Sequence, residues 1–125
     1  MTLDRAAILA ARTLKKELVP APEWGGDVFV RVMNGLERDM LDDLLVKHNN
    51  QLPNLRATLV CLTTCDEDGG RLFDLKDVDA VSEMDGNVLH RLFLVARRLN
   101  GLDPEAAETI TKNSMPAPSD APGSN

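Results

Sequence analysis

Pro20-Ala21-Pro22-Glu23-Trp24-Gly25-Gly26-Asp27-Val28-Phe29-Val30-Arg31-Val32-Met33, followed at once by Asn34-Gly35-Leu36-Glu37-Arg38, decides the fold of this chain. Gly25-Gly26 supplies the positive φ that a tight connection between two strands requires. Residues 27–33 alternate, with Val28, Val30 and Val32 on one face and Phe29, Arg31 and Met33 on the other. Both faces are largely apolar. Residues 16–19 form the partner strand, its length limited by Pro20 and Pro22. Asn34 lies three residues before Glu37, a capping-box arrangement, so the hairpin runs without a linker into a helix.

In that helix Leu36, Met40, Leu41, Leu44 and Leu45 fall on one face and Glu37, Asp39, Asp42, Asp43 and Lys47 on the other. It ends near His48-Asn49-Asn50. Upstream, Thr2 caps a short helix over residues 4–12. Downstream, Pro53 fits a helix first turn, and Leu55, Leu59 and Leu62 recur at helical spacing with Ala57, Val60 and Cys61 beside them. This segment is apolar nearly all round, hence central; its Thr and Val content keeps a strand open as an alternative. Asp74 caps a short helix to about residue 84, with Leu75, Val78 and Val81 inward.

Asp85 caps the strongest amphipathic helix, over residues 86–99, where Val88, Leu89, Leu92, Phe93, Val95, Ala96 and Leu99 make a wide apolar face. Arg97 and Arg98 suit its last turn and Gly101 its stop. Asp103-Pro104-Glu105 starts a final short helix. From Asn113 the chain is rich in Pro and Ser, has nothing to bury and is expected to be disordered. The fold class is therefore α+β, mainly α with a small N-terminal β-hairpin: one compact helical domain over residues 1–112 and a tail over 113–125.

Aromatic residues are only 3% of the 125, so Leu, Val, Ala and Met must build the core. The net charge of −6 and a pI near 4.8 give no electrostatic reason to approach nucleic acid or anionic lipid. Apolar runs fall far short of the roughly 20 residues of a membrane span, and Met1-Thr2-Leu3-Asp4-Arg5 does not open like a signal peptide.

Cys61 and Cys65 have no His or further Cys near them in sequence, and read as small core residues rather than metal ligands. Asp66-Glu67-Asp68-Gly69-Gly70-Arg71 looks acidic enough for calcium. An EF-hand loop, however, needs an acidic fifth position, Gly at the sixth and Glu at the twelfth. Counted from Asp66 these are Gly70, Arg71 and Asp77, so the segment reads as a solvated turn. Neither His48 nor His90 has a nucleophile in a recognisable setting, and Gly25-Gly26 lacks the spacing of a phosphate loop. These residues point to binding rather than catalysis, with neither metal nor cofactor. Trp24, Val28, Phe29 and Val30 are the candidate contacts, because a two-stranded hairpin is marginal alone and needs a partner surface.

With these elements in order, the chain resembles the small tail assembly chaperones of long-tailed phages and prophages. The resemblance rests on Pro22 to Arg31, Asn34-Gly35-Leu36-Glu37-Arg38-Asp39, Leu55-Arg56-Ala57-Thr58-Leu59-Val60, Asp66 to Phe73 and Leu92 to Leu102, and spans residues 3–108. It implies a non-enzymatic protein of the host cytoplasm that binds the tape measure protein, the long helical chain that sets tail length. Such a protein keeps the tape measure soluble until tail tube subunits polymerise around it, and is absent from the mature virion. It further implies self-association, the tail tube protein as a possible second partner, and the shorter of two forms made by frameshifting. The alternatives are a small acidic phage inhibitor that mimics nucleic-acid charge, or a structural tail component.

Overall fold

The computed structural model describes residues 1–102. The expected helix from Asp103 and the Pro/Ser-rich tail lie outside them. The described elements are α1 (Arg5–Ala10), β1 (Lys16–Ala21), β2 (Gly26–Arg31), α2 (Gly35–Lys47), α3 (Leu55–Thr63), β3 (Thr64–Cys65), α4 (Val78–Ser82) and α5 (Gly86–Leu99). The strands form one antiparallel sheet in the order β1-β2-β3.

The hairpin forms as its residues dictate, with two differences. Pro22–Trp24 make a single 3-10 turn and Gly25 alone takes the left-handed conformation, at φ 87°. β1 also runs on through Pro20 to Ala21, where residues 16–19 were expected. β1 is the sheet edge, where a residue without an N–H is tolerated. The third strand was not expected. Thr64-Cys65 leaves α3 directly and pairs with Phe29 and Val30, which makes β2 central. Thr63 and Thr64 turn their hydroxyls back onto the Leu59 and Val60 carbonyls at 2.7 and 2.9 Å, so neither buried hydroxyl lacks a partner.

α5 keeps the predicted limits. Asp85 caps it by accepting from Asn87 and Val88 N–H at 2.8 and 3.2 Å, and Gly101 follows it at φ 67°. Its inward residues Val88, Leu89, Leu92, Phe93 and Ala96 pack with α3, which is buried from Ala57 to Thr63. Val19, Ala21 and Val30 close the core from the sheet side. α3 begins at Leu55 behind Asn54, whose φ of 58° is left-handed, so Pro53 precedes the helix instead of opening it.

α1 is capped by Asp4 rather than Thr2, through Ala7 N–H at 2.9 Å, and buries nothing. The stretch after Asp74 is a 3-10 turn, Leu75–Asp77, leading into the short α4, not one continuous helix. α2 carries the predicted capping box: Glu37 N–H donates to Asn34 Oδ1 at 2.9 Å and Asn34 N–H to Glu37 Oε1 at 3.0 Å. Its facing is corrected in the first turn. Glu37, expected in solvent, is buried, and Leu36, expected inward, is 70% exposed. The ion pair described below draws Glu37 in and rotates Leu36 out.

Candidate partner-binding surfaces

One surface is the outer face of the sheet. Leu18 lies directly opposite Phe29, and Phe29 opposite Cys65. With Leu72 these residues line a shallow depression of about 570 Å³ edged by Asp27 and Glu67. The Lys16 ammonium stands 5.3 Å from the Phe29 ring centroid. Leu18 and Leu72 are about half exposed. Of the four residues singled out in the hairpin, Phe29 and Val28 both border this depression. Trp24 and Val28 are half-buried and pack against the core. Val30 is a correction: as part of the central strand it points at the core and is wholly buried, so it has no surface to offer.

The hairpin is fastened to α5 by two arginines. Arg91 grips Glu23 at 2.8 and 3.0 Å and also donates to the Pro20 carbonyl at 3.0 Å. Arg98 reaches Glu17 at 2.7 Å. The Arg91 hydrogen bond holds the Glu23 carboxyl down at about 2.

Behind Phe29 on the same strand, Arg31 is buried. It meets Glu37 at two points, 2.7 and 2.8 Å, and donates to the Val32 and Gly69 carbonyls at 2.9 Å. Arg71 adds a further contact to Glu37 at 2.8 Å. Burial pushes the Glu37 carboxyl up, but the Arg31 hydrogen bonds, the Asn34 N–H and the two positive charges outweigh it, and its pKa is lowered. The opposite balance raises that of Arg31: the Glu37 hydrogen bonds outweigh burial. The network ties β2, α2 and the 66–71 turn together. Asn100 completes the clamp, accepting from Met33 N–H at 2.7 Å and donating to the Ala96 carbonyl at 2.9 Å.

A second concave surface runs between α3 and α5, a cleft of about 640 Å³. Leu55 and Leu89 line it and Phe93 is in its wall. The guanidinium carbons of Arg56 and Arg97 lie 5.7 and 5.1 Å from the Phe93 ring centroid. Arg56 Nε donates to His90 Nδ1 at 3.1 Å. Arg97 Nε is out of water and has no hydrogen-bond partner among the described residues. A smaller apolar trough of about 260 Å³, lined by Leu41, Leu45, Leu59 and Leu102, shares Leu55, Phe93 and Arg97 with the cleft.

Of the other chemistry-bearing side chains, Cys65 and Asp66 border the sheet depression, whereas Cys61 and His48 line neither that depression nor the α3–α5 cleft. Cys61 and Cys65 are free and buried, and burial pushes the Cys61 thiol up to about 11. His48 is exposed at the end of α2. The carboxylate of Asp66 accepts from Asp68 and Gly70 N–H at 2.9 Å, so it serves its own turn. Among the described residues no three His, Cys, Asp or Glu side chains gather as metal ligands, and no helix is long and apolar enough to cross a membrane.

Fold and surfaces together define a small α+β protein with shallow apolar faces. The chain matches no family model and no curated protein. Among solved structures it is similar to the tail assembly chaperone of bacteriophage HK97, with 28% identity and a TM-score of 0.54 over 74% of this chain and 89% of that one. The resemblance to phage tail assembly chaperones read from the sequence is thus present in the fold as well.

Proposed function

We propose that this protein is a non-enzymatic chaperone of phage tail assembly that covers apolar helices of a tape measure protein until the tail tube grows around it. The likeness in fold and sequence to the HK97 tail assembly chaperone carries this reading. The physical chemistry agrees with it. A naked tape measure helix exposes apolar stripes that aggregate. Shallow apolar grooves can take such stripes in helix-in-groove fashion, and a net charge of −6 keeps the complex dispersed.

In this reading the protein acts in the host cytoplasm, needs no cofactor, and leaves before the virion matures. The outer sheet face around Phe29, with Trp24 at the turn, serves self-association. The carboxylates of Glu17, Glu23 and Glu37 are each tied to arginines. That distribution runs against a nucleic-acid mimic, which needs its charges collected and free. Co-expression with a tape measure protein tests the proposal.

A further inference from the structure

The cleft between α3 and α5 combines features that an apolar groove alone does not have. Arg31, Arg71, Arg91 and Arg98 each hold a carboxylate. Arg56 and Arg97 hold none among the described residues, yet both line this one cleft. Each lies within cation–π range of Phe93, at 5.7 and 5.1 Å. Such a contact does not consume a guanidinium's N–H groups; Arg56 gives its Nε to His90 and keeps its terminal N–H groups for a ligand. Arg97 Nε is withdrawn from water with no partner among the described residues, a state that costs stability until an acceptor arrives. Around this charged centre the lining is mixed, with Leu52, Leu55 and Leu89 beside Asn54 and Ser82, and it becomes apolar in the adjoining leucine trough.

We propose that this cleft binds an amphipathic helix of a second protein chain that carries a carboxylate beside its apolar stripe. Leucine-type side chains of the helix lie along Leu55, Leu89 and the trough, and the carboxylate is gripped by Arg56 and Arg97 across Phe93. Arg–carboxylate pairs are short and directional, so the acid fixes the register of the bound helix. On a protein of net charge −6 an acidic helix gains most where two arginines stand together without a carboxylate of their own among the described residues. The inference rests on the chaperone reading only for the existence of a partner helix; it adds the chemistry by which that helix is chosen.

The test uses the full chain and a fluorescein-labelled synthetic amphipathic peptide of about 18 residues, five helical turns. The peptide has a leucine stripe and two Glu at its edge, and has twins with Gln or Lys at those positions. Fluorescence anisotropy is expected to show the Glu peptide binding about tenfold tighter than the Gln twin, as one charge-assisted hydrogen bond allows, and tighter still than the Lys twin. The preference is expected to vanish in Arg56→Gln/Arg97→Gln at unchanged circular dichroism. Should that double variant not fold, Arg56→Gln alone, an exposed position, is expected to reduce the preference. Equal binding of the three peptides, or a preference that survives in a folded double variant, overturns the proposal. So does binding seen only after Asp103→Asn/Glu105→Gln/Glu108→Gln, because the cleft would then belong to the chain's own acidic stretch. If a tape measure protein is kept soluble equally by wild type and the double variant, the chaperone reading stands and this inference falls.

Discussion

Arg31 and Glu37 face each other across the β2–α2 junction, joined at 2.7 and 2.8 Å with side chains only 4% and 5% exposed. The pair turns a strand into a helix within a few residues, because Glu37 is at once the ion partner of Arg31 and the third residue of the capping box. Glu37→Gln leaves Arg31 charged and buried. It is expected to cost about 3–5 kcal/mol in urea titration, as breaking a buried pair does. A loss below about 1 kcal/mol, the range of an exposed pair, would mean that the junction is not held this way.

Acid acts on the same pair. The Glu37 pKa is lower in the folded chain than its ordinary value of 4.5. Its contribution is therefore complete at higher pH and is lost as the pH falls through the folded value. Wild type should lose stability on acidification below the ordinary value, and Glu37→Gln should show a shallower decline over the same window. Parallel stability–pH curves for the two proteins would contradict this.

Phe93 is 7% exposed and packs between α3 and α5. Phe93→Ala is expected to cost about 3–5 kcal/mol. Leu94 on the outer side of the same helix is 43% exposed, and its alanine variant should stay within about 0.5 kcal/mol of wild type. Similar costs at the two positions would put the wrong face of α5 inward.

Asn100 joins the end of α5 to the β2–α2 junction through Met33 and Ala96. Asn100→Ala strands the buried Met33 N–H and should cost about 1–3 kcal/mol. Faster hydrogen exchange at Met33 in the variant would locate the loss; unchanged exchange there would show that this bond does not hold the junction.

Trp24→Ala/Phe29→Ala tests the hairpin as a contact surface. Both side chains are only partly buried, so the variant should remain folded while sedimentation shows weaker self-association. A folded variant with unaltered oligomeric state and unaltered partner binding would remove the hairpin from both roles.

The elements with strong local signals were legible: the Asn34 capping box, the Asp85 cap, the Gly25 turn and the wide apolar face of α5. Thr64-Cys65 as a strand was not, since two residues have no period and their pairing with Phe29 and Val30 is set by how α3 lies on the sheet. The inward turn of Glu37 was not legible either. A carboxylate in a helix first turn reads as a cap in solvent, and only the fold brings Arg31 and Arg71 to it. Of the candidate contacts, alternation separated Phe29 from Val28 and Val30 but could not say which face the helices would cover. In the Arg56–Phe93–Arg97 cluster, Phe93 and Arg97 stand one turn apart on α5, but Arg56 comes to them from α3, and that approach left no local signal.

Co-expression with the tape measure protein of a long-tailed phage, followed by sedimentation of the lysate, bears most directly on whether this chain shields another protein's apolar helices. The tape measure protein should move from the pellet into the soluble fraction and co-purify with this chain. A tape measure protein that stays in the pellet at matched expression would contradict the chaperone function.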